Sequence, residues 1–433
     1  MAVEHWRFLG IGGVGMSALA EHYHWQGHKV SGYDRAPSPQ TERLSALGIP
    51  IDFSPRPERI LEATGMVYTP AIPADFPELV AAQRLGVPLL RRAEALARAV
   101  EPYEVLAVAG AHGKTSTSAI LTWLLYKLGA SPVAFVGGQM KNFGSTYLPG
   151  SGPHAVVEAD EYDRAMLRLL PAHAIITSTE PDHLEVYGDA AGVLAAYQAF
   201  RERVRGYCVV PVHVSDIRDA IQVELRAYWR VGEGRFRFVY RWDGGEREAE
   251  WSHLGRVYAE NAALALTLLE LLGFSPAALQ EALAGYAGVA RRLEWQQLAP
   301  DLVAVLDYAH HPTEIACTID TLREAFPGWQ LIVLFQPHLF SRTAFFAKEF
   351  ALALDRADEV VLFPIYPARE PYTPHISTKT VSQHLSKPAR ELVALEQGMK
   401  EVDILLKRPA VIVLMGAGDI YTLWQPLLKH FGA

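Results

Sequence analysis

At 433 residues the chain exceeds one ordinary domain, and its 50% hydrophobic and 20% charged residues are typical of proteins with buried cores. A formal net charge of −8 argues against nucleic acid or an anionic membrane as the main partner. The two cysteines, Cys208 and Cys317, lack metal-ligand spacing, which argues against a thiolate zinc site and a disulfide framework. The sequence offers no secretory segment and no apolar run of the ~20 residues that a membrane span needs, so we expect a cytoplasmic monomer or homodimer.

The N-terminal part alternates short apolar runs with helical patterns, the rhythm of parallel βα units. Strands are predicted over Trp6–Ile11, Lys29–Tyr33 and Met66–Thr69, and helices over Met16–Trp25, Glu78–Leu85 and Arg91–Val100. Glu101 and Pro102 then have the composition of a linker. A Rossmann-like domain is therefore predicted for residues 1–102.

Two further blocks of βα units follow. The second has predicted strands at Val105–Val108, Ala155–Glu158 and Ala174–Thr177, an antiparallel excursion over Val209–Trp251, and helices at Ser116–Leu128, Glu260–Leu272 and Pro276–Tyr286. The third has predicted strands at Val303–Leu306, Leu331–Phe335, Val360–Phe363 and Val411–Leu414, helices at Thr313–Phe326 and Ala344–Leu354, and a terminal helix from Tyr421. We predict three α/β domains: the Rossmann-like domain, a central P-loop-type ATPase domain of residues 103–297 with a mostly parallel sheet, and a C-terminal Rossmann-like domain of residues 298–433.

The first glycine-rich turn has the pattern G-x-G-x-x-G between a predicted strand and a predicted helix. It comprises Gly10, Ile11, Gly12, Gly13, Val14, Gly15, Met16 and Ser17. Glycines let the backbone approach a diphosphate, which then lies at the positive end of the helix. Asp34 ends the second strand, where a ribose-binding acid is expected. The pattern leaves three interpretations open: a nucleotide diphosphate site, an NAD(P) site and a structural turn.

The second glycine-rich turn predicts a phosphate-binding loop. Its residues are Gly110, Ala111, His112, Gly113, Lys114, Thr115 and Ser116, which give G-x-x-G-K-T, a shortened form of the Walker A pattern. Backbone N–H groups of such a loop surround phosphates, the ammonium of Lys114 neutralises their charge, and the Thr115 hydroxyl reaches Mg²⁺. The loop follows an apolar strand and begins a helix, which is the context that this function requires.

Acidic residues follow the next predicted strands. Glu158, Asp160, Glu161 and Asp163 come directly after one strand, where carboxylates beside a phosphate loop can bind Mg²⁺, although a solvated turn has the same composition. Asp182 and His183 follow the next strand and offer a second set of metal-adjacent groups.

Two polar loops follow strands of the third block. Asp307, Tyr308, His310 and His311 precede a helix, and Arg342 lies in a loop suited to binding an anionic group. Adjacent histidines rarely share one metal, and this loop contains no i, i+4 pair of histidines, so zinc is not expected here.

These segments, in this order, resemble the Mur ligase family over nearly the whole chain, from Gly10 to the turn at Gly416 to Ile420. Within the family they look most like the members that attach L-alanine to UDP-N-acetylmuramate. The resemblance implies that the first domain binds the UDP sugar, the central domain binds ATP, and the C-terminal domain closes over both.

The resemblance also implies roles for individual residues. For the UDP sugar it implies contacts from Gly10, Gly12, Gly13, Val14, Gly15, Met16, Ser17, Asp34, Thr69, Ala71, Tyr308 and Arg342. For ATP it implies contacts from Gly110, Ala111, His112, Gly113, Lys114, Thr115, Ser116, Asn261, Arg292 and Asp307. It implies two Mg²⁺ ions held by Thr115, Glu158 and His183, and catalytic roles for Lys114, Glu158, His183, His310 and Arg342.

The chain departs from the family pattern in the adenine segment, where Val257 and Tyr258 replace a usual His-Asn pair, and at Ala111, where threonine is usual. Three alternative functions are therefore kept: a recycling ligase that adds a preformed tripeptide to the same sugar, an NAD(P) oxidoreductase, and a non-catalytic nucleotide-binding protein. The expected reaction phosphorylates the sugar's lactyl carboxylate to an acyl phosphate, which the amine of alanine then attacks.

Overall fold

A computed structural model describes residues 3–181, 184–232, 234–368 and 370–432, whose strands form three sheets of five, nine and six strands. The chain divides into two compact units. The first unit holds the five-stranded sheet and most of the nine-stranded sheet. The second holds the six-stranded sheet together with residues 230–236 and 252–258. Among the described helices, none combines the length and the apolar composition needed to cross a membrane.

The five-stranded sheet confirms the predicted Rossmann-like fold. Its strands are β1 (His5–Leu9), β2 (Lys29–Tyr33), β3 (Ile51–Asp52), β4 (Gly65–Tyr68) and β5 (Leu89–Arg91), and its helices are α1 (Val14–Trp25), α2 (Pro39–Ala46), α3 (Pro77–Leu85) and α4 (Arg92–Val100). All its strand pairs are parallel, in the order β3-β2-β1-β4-β5 of a doubly wound nucleotide-binding sheet. The sequence prediction lacks β3 and β5 because strands of two and three residues have too little periodicity to be detected.

A buried ion pair fixes this sheet to α3. Arg7 in β1 and Glu78 in α3 are fully buried, and the guanidinium donates two hydrogen bonds of 2.9 Å to the Glu78 carboxylate. Arg7 also lies 3.0 Å from the carboxylate of Asp52 in β3. Removing one partner of such a pair leaves an uncompensated buried charge and costs about 3–5 kcal/mol. The pair therefore links β1 to α3, and the contact with Asp52 links β1 to the end of β3.

The nine-stranded sheet belongs to the central domain. Its strands are β6 (Glu104–Ala109), β7 (Val133–Met140), β8 (Ser145–Leu148), β9 (His154–Glu158), β10 (His173–Ile176), β11 (Cys208–Pro211), β12 (Ile221–Gly232), β13 (Arg235–Trp242) and β14 (Gly245–Trp251). Its helices are α5 (Lys114–Lys127), α6 (Leu184–Tyr187), α7 (Ala190–Glu202), α8 (Arg256–Leu271) and α9 (Pro276–Leu283). In the order β14-β13-β12-β11-β10-β6-β9-β7-β8, strand β6 lies between β9 and β10 and is parallel to both. The strand order therefore reverses around β6, and ligands of open α/β sheets bind beside the carboxyl ends of strands at such a point.

The predicted antiparallel excursion over Val209–Trp251 is only partly correct. Strand β11 is parallel to β10, and β12 is parallel to β11. Connections of two residues then join β12 to β13 and β13 to β14, and connections this short require antiparallel pairs. The prediction fails for β11 because its four residues are all buried, whereas β13 alternates between buried and more exposed positions.

The first two sheets share a hydrophobic core, and α1 packs against β7 and β8. His22 of α1 is fully buried there, with its ring 5.2 Å from the Phe135 ring and its Nδ1 2.9 Å from Tyr147 Oη. The side-chain amide nitrogen of Gln26 lies 2.9 Å from Nε2 of His22, so both ring nitrogens have a polar neighbour. The contact with Tyr147 joins the helix of the first glycine loop to the sheet of the second.

The six-stranded sheet forms the C-terminal domain. Its strands are β15 (Glu294–Ala299), β16 (Leu302–Asp307), β17 (Gln330–Phe335), β18 (Glu359–Leu362), β19 (Arg390–Glu391) and β20 (Ala410–Met415). Its helices are α10 (Pro312–Ala325), α11 (Phe340–Phe345), α12 (Ala347–Leu354), α13 (Lys379–Ser382), α14 (Gly398–Leu405) and α15 (Trp424–Phe431). Parallel strands β16, β20 and β17 form its centre and are almost entirely buried, while β15 pairs antiparallel with β16 at the edge.

Two helix predictions in this domain are corrected. The single helix predicted over Ala344–Leu354 is interrupted at Phe346, whose backbone (φ −103°, ψ 22°) ends α11 before α12 begins. The terminal helix predicted from Tyr421 starts as a 3₁₀ turn over Ile420–Leu423 and becomes α-helical only at Trp424.

The burial of His22 predicts a pH dependence of stability. Burial lowers the pKa of His22 from its ordinary value of 6.5 to about 4. Between these two values the unfolded chain binds a proton that the folded chain excludes, so stability falls as pH falls from 6.5 to 4. We expect His22→Gln to reduce the slope of the unfolding free energy in this window by up to about 1.4 kcal/mol per pH unit.

Urea unfolding at several pH values between 4 and 7 measures this slope. The control is His24→Gln, which changes an exposed histidine of the same helix and should leave the slope as in the wild type. If His22→Gln and His24→Gln behave alike, His22 does not control the acid sensitivity of the contact between α1 and β8.

Candidate active site

The loop after β6 has a backbone that only glycine adopts easily. Gly110 and Gly113 have φ angles of +134° and +83°, and α5 begins at the next residue, Lys114. A Cβ on Gly110 would lie 2.2 Å from Thr177 Oγ1 and 2.8 Å from the backbone nitrogen of Ser178, both of which follow β10. The loop is therefore packed tightly against the end of the neighbouring strand, with the N-terminus of α5 above it.

Lys114 lies at the centre of this loop. Its Nζ donates to the Gly110 carbonyl oxygen at 2.6 Å and contacts the two carboxylate oxygens of Glu161 at 2.9 and 2.7 Å. The side chain of Lys114 is 13% exposed and that of Glu161 is 4% exposed. The sequence groups Glu161 with the acidic residues that could bind Mg²⁺, whereas the structure makes it the ion-pair partner of Lys114.

Oxygen ligands suitable for Mg²⁺ lie beside Lys114. Thr115 Oγ1 donates to Glu158 Oε1 at 2.9 Å, and the Gly137 backbone N–H donates to Glu158 Oε2 at 2.6 Å. No group of three or more His, Cys, Asp or Glu in the described parts of the chain could hold a metal ion alone. Mg²⁺ in phosphate-transfer sites is commonly held by one or two protein oxygens together with substrate phosphates, so Thr115 and Glu158 fit that ion.

The remaining residues of the phosphate loop are held by their neighbours. The His112 backbone N–H donates to Ser178 Oγ at 3.0 Å, and His112 Nε2 lies 3.4 Å from a Glu180 carboxylate oxygen. Ser116 is buried in the first turn of α5. Asn261 of α8 is also buried, and its amide oxygen lies 2.8 Å from where a Cβ on Gly113 would be. The structure thus brings Asn261 to the phosphate loop, while its predicted adenine contact stays a prediction.

The first glycine loop is closed by hydrogen bonds to the end of β2. The Gly10 and Ile11 N–H groups both donate to the Tyr33 carbonyl, and the Gly12 N–H donates to Asp34 Oδ2 at 2.7 Å. Asp34 therefore holds the loop, a contact that the expected ribose role does not include. Val14 is 37% exposed at the start of α1, and Met16 and Ser17 are buried just after it.

Two other segments lie against the same loop. A Cβ on Gly10 would lie 2.8 Å from Thr69 Cγ2, and the Ala71 N–H is 3.5 Å from Thr69 Oγ1, so both residues lie beside the loop. Arg92, the first residue of α4, places Nη1 3.0 Å from a Cβ built on Gly15 and donates to Asp160 at 3.3 Å. A positive group at the first turn of α1 suits an anionic ligand. Arg92 could not be predicted from the sequence, because nothing local distinguishes it from its neighbour Arg91.

The carboxyl ends of β16, β17 and β20 form a separate polar cluster in the second unit. Asp307 is buried at the end of β16, where it accepts hydrogen bonds from Thr318 Oγ1 at 2.6 Å and from the Ala309 N–H at 3.3 Å. Burial raises the pKa of its carboxyl group. The side chain thus points into the domain towards α10, and its predicted ATP contact stays a prediction.

Histidine side chains of this cluster are held in the neutral form. Burial lowers the pKa of His310, even though Glu314 lies 3.3 Å from its Nδ1 and opposes the shift. His338, which sequence analysis does not select as a site residue, has its ring 5.9 Å from that of His310, and burial lowers its pKa to about 4. The positive charge of Arg342 also lowers the pKa of both histidines.

Arg291 and Arg292, the arginine pair before β15, make different contacts, and the predicted phosphate contact of Arg292 stays a prediction. Arg291 lies between the rings of Tyr308 and Tyr421, with its guanidinium carbon 4.7 and 4.5 Å from their centroids. It also donates to the carbonyl oxygens of Gly416 and Gly418 at 3.0 and 3.2 Å. Arg292, the predicted phosphate contact, faces Tyr308 from 5.0 Å and lies 4.0 Å from Glu314. Arg291 thus anchors this segment within the domain. The local sequence does not show which of the two arginines makes these contacts.

One predicted site residue cannot be placed. His183, expected as a ligand of a second Mg²⁺, lies outside the described residues, as does Asp182. The adjacent Thr177 and Ser178 are described, and both contact the phosphate loop.

The tight packing of Gly110 generates a test of the loop geometry. Gly110→Ala would combine an unfavourable backbone conformation with a collision against Thr177 and Ser178. In Gly129→Ala, the matched control, φ is +78° but a Cβ meets no atom of the described residues within 4 Å. We expect Gly129→Ala to cost about 1–2 kcal/mol of unfolding free energy, and Gly110→Ala about 1–3 kcal/mol more. Equal losses in chemical unfolding would contradict the described loop.

Comparison with known proteins gives a consistent result along the chain. The family model described as "Mur ligase family, catalytic domain" matches residues 5–104, "Mur ligase middle domain" matches residues 108–269, and "Mur ligase, glutamate ligase domain" matches residues 291–418. These three matches follow the three sheets in order.

Individual relatives match over nearly their full length. Two proteins named UDP-N-acetylmuramate–L-alanine ligase, from Flavobacterium johnsoniae and Porphyromonas gingivalis, are each 36% identical, with 96% and 98% of both chains covered. The crystal structure of a UDP-N-acetylmuramate-alanine ligase from Thermotoga maritima has a TM-score of 0.84 at 27% identity, with 99% of each chain covered. A murein peptide ligase from Psychrobacter arcticus, with a TM-score of 0.69 and 20% identity, shares the fold. The chain therefore belongs to the Mur ligase family.

Proposed function

We propose that this protein is an ATP-dependent ligase that joins L-alanine to the lactyl carboxylate of UDP-N-acetylmuramate, a step of peptidoglycan precursor synthesis. One observation carries the proposal. A single compact unit holds both the phosphate loop and the first glycine loop. Lys114, Thr115 and Glu158 are in contact at the phosphate loop, and Arg92 lies against the helix that follows the first glycine loop. The first arrangement suits a nucleoside triphosphate and the second a sugar nucleotide diphosphate. Full-length relatives that carry the name of this ligase support the same assignment.

The phosphate loop supplies the activation step. A carboxylate does not react with an amine at neutral pH, because its oxygen is a poor leaving group. In the proposed reaction a carboxylate oxygen attacks the γ-phosphorus of ATP, ADP leaves, and an acyl phosphate forms. Lys114 neutralises charge on the transferred phosphoryl group, while the loop N–H groups orient the phosphates. Thr115 and Glu158 would hold Mg²⁺, which screens repulsion between the two anionic substrates; a second ion held by His183 stays a prediction.

The C-terminal cluster is the proposed source of groups for the amino acid. The α-ammonium of alanine, with a pKa near ~8, must lose a proton before its nitrogen attacks the acyl carbon and releases phosphate. A neutral histidine can accept that proton, and His310 is kept neutral by burial. Arg342, whose positive charge acts on His310, is suited to bind a carboxylate. Because both nucleotide substrates are cytoplasmic metabolites, the reaction is placed in the cytoplasm.

The function is tested by measuring phosphate release from ATP and Mg²⁺. UDP-N-acetylmuramate is supplied with L-alanine, with glycine, with L-serine, or with the stem tripeptide. We expect release that requires both the sugar nucleotide and L-alanine. Release that requires the tripeptide would instead assign the recycling reaction. An absence of release with every acceptor would contradict a ligase and favour the non-catalytic alternative, in which the change at Val257 and Tyr258 has removed ATP binding.

Lys114→Ala provides the matched loss of function. Removing a main charge contact to the transition state should lower the rate of phosphate release by about 10²–10³. Lys127→Ala, which changes an exposed lysine at the other end of α5, should retain the wild-type rate. If Lys114→Ala keeps more than about a tenth of the wild-type rate, the loop does not contact the transferred phosphoryl group.

A further inference from the structure

The ammonium of Lys114 has its hydrogen-bonding capacity taken up by protein oxygens. An ammonium has three N–H donors, and the Gly110 carbonyl and two Glu161 oxygens lie within 2.9 Å of Nζ. A fourth acceptor, the Ala111 carbonyl, lies at 3.4 Å. A phosphate that contacts Nζ must therefore replace one of these partners.

Glu161 is the partner that can be replaced. The Gly110 carbonyl belongs to a loop packed against Thr177 and Ser178, and cannot turn away without moving that loop. The Glu161 carboxylate, in contrast, ends a side chain with three rotatable bonds. It also carries a negative charge, so a nearby phosphate would repel it while attracting Lys114.

The backbone of Glu161 is held by hydrogen bonds from neighbouring residues. The Glu161 carbonyl accepts hydrogen bonds from Tyr187 Oη at 2.5 Å and from the Arg164 N–H at 3.0 Å. Arg164 has a left-handed backbone, and its guanidinium lies 5.5 Å from the Tyr187 ring centroid. A change of the Lys114 contact therefore requires rotation of the Glu161 side chain, with its main chain staying in place.

We propose that the Glu161 carboxylate and a nucleotide phosphate compete for the Lys114 ammonium, so that ATP binds the loop only as Glu161 turns aside. The proposal rests on the proposed function in one respect, that the loop binds ATP. Glu161 then acts as a counter-ion that occupies the Lys114 ammonium in the empty loop and lowers the affinity of the loop for nucleotides. Displacing it leaves a buried carboxylate without its cation, and this cost is subtracted from the binding free energy.

Replacing Glu161 with glutamine distinguishes a Glu161 that competes with phosphate for Lys114 from a Glu161 that orients Lys114 for phosphate. Glutamine keeps the shape of the side chain and one acceptor oxygen but loses the charge. If Glu161 competes, Glu161→Gln raises the fraction of molecules in which the Lys114 ammonium can contact a phosphate, and nucleotides bind about tenfold more tightly. If Glu161 instead orients Lys114 for the phosphate, the same variant binds nucleotides more weakly.

The experiment is titration calorimetry of the full chain with a non-hydrolysable ATP analogue and with ADP, each with Mg²⁺. We expect Glu161→Gln to lower both dissociation constants about tenfold, and the KM for ATP to fall with kcat within about threefold of wild type. Glu202→Gln, which removes an exposed carboxylate of the same domain, should leave both dissociation constants within about twofold. Should Glu161→Gln fail to fold, Glu161→Asp keeps the charge with a shorter reach, and we expect it to tighten binding as well.

Unchanged or weaker nucleotide binding by a folded Glu161→Gln would overturn the competition. A wild-type protein that binds neither nucleotide would instead overturn the proposed function, and the competition with it. Tighter nucleotide binding by the variant, together with a wild-type protein that ligates nothing, would support the competition while contradicting the ligase assignment. The two proposals therefore fail in distinguishable ways.

Discussion

Parallel strands β9, β6 and β10 end at the same edge of the nine-stranded sheet, and this constraint determines where the chemistry of the first unit takes place. The loop after β6 carries Lys114, the end of β9 carries Glu158, and the residues after β10 hold the loop. A strand order that reverses at β6 leaves a crevice there, since the connecting helices lie to either side. Phosphate, metal ligands and the N-terminus of α5 can therefore meet without any long-range adjustment.

Burial then controls the charges that this edge brings together. Lys114 and Glu161 are both shielded from water, so each depends on the other far more than an exposed pair would. In the C-terminal domain, burial works on single groups: it keeps His310 and His338 neutral. A neutral imidazole can accept a proton. A lysine paired with a carboxylate can exchange that partner for a more highly charged anion, such as a phosphate. The two clusters thus suit the two halves of a ligase reaction.

Fold class and loop positions could be predicted from the sequence because they depend on local patterns. Apolar runs, helical periodicity and glycine spacing identified the βα units and both glycine loops. Contacts across the structure have no such signal. The pairing of β1 with β2 brings the Asp34 carboxylate to the Gly12 N–H, a contact that the local sequence does not predict, while the ribose contact of Asp34 stays a prediction. The sequence cannot assign different roles to Glu158 and Glu161, because both lie in one acidic run. In the structure the turn after β9 directs Glu158 to Thr115 and Glu161 to Lys114. The roles of individual site residues stay predictions until they are measured.

The transfer of oxygen from the sugar carboxylate to phosphate tests the central claim most directly. UDP-N-acetylmuramate labelled with ¹⁸O in both lactyl carboxylate oxygens would be ligated to L-alanine with ATP, and the released phosphate analysed by mass spectrometry. An acyl phosphate route predicts one ¹⁸O atom in each phosphate released and one in the new amide. Amide formation with unlabelled phosphate, or with label in AMP, would contradict phosphorylation of the carboxylate at the Lys114 loop.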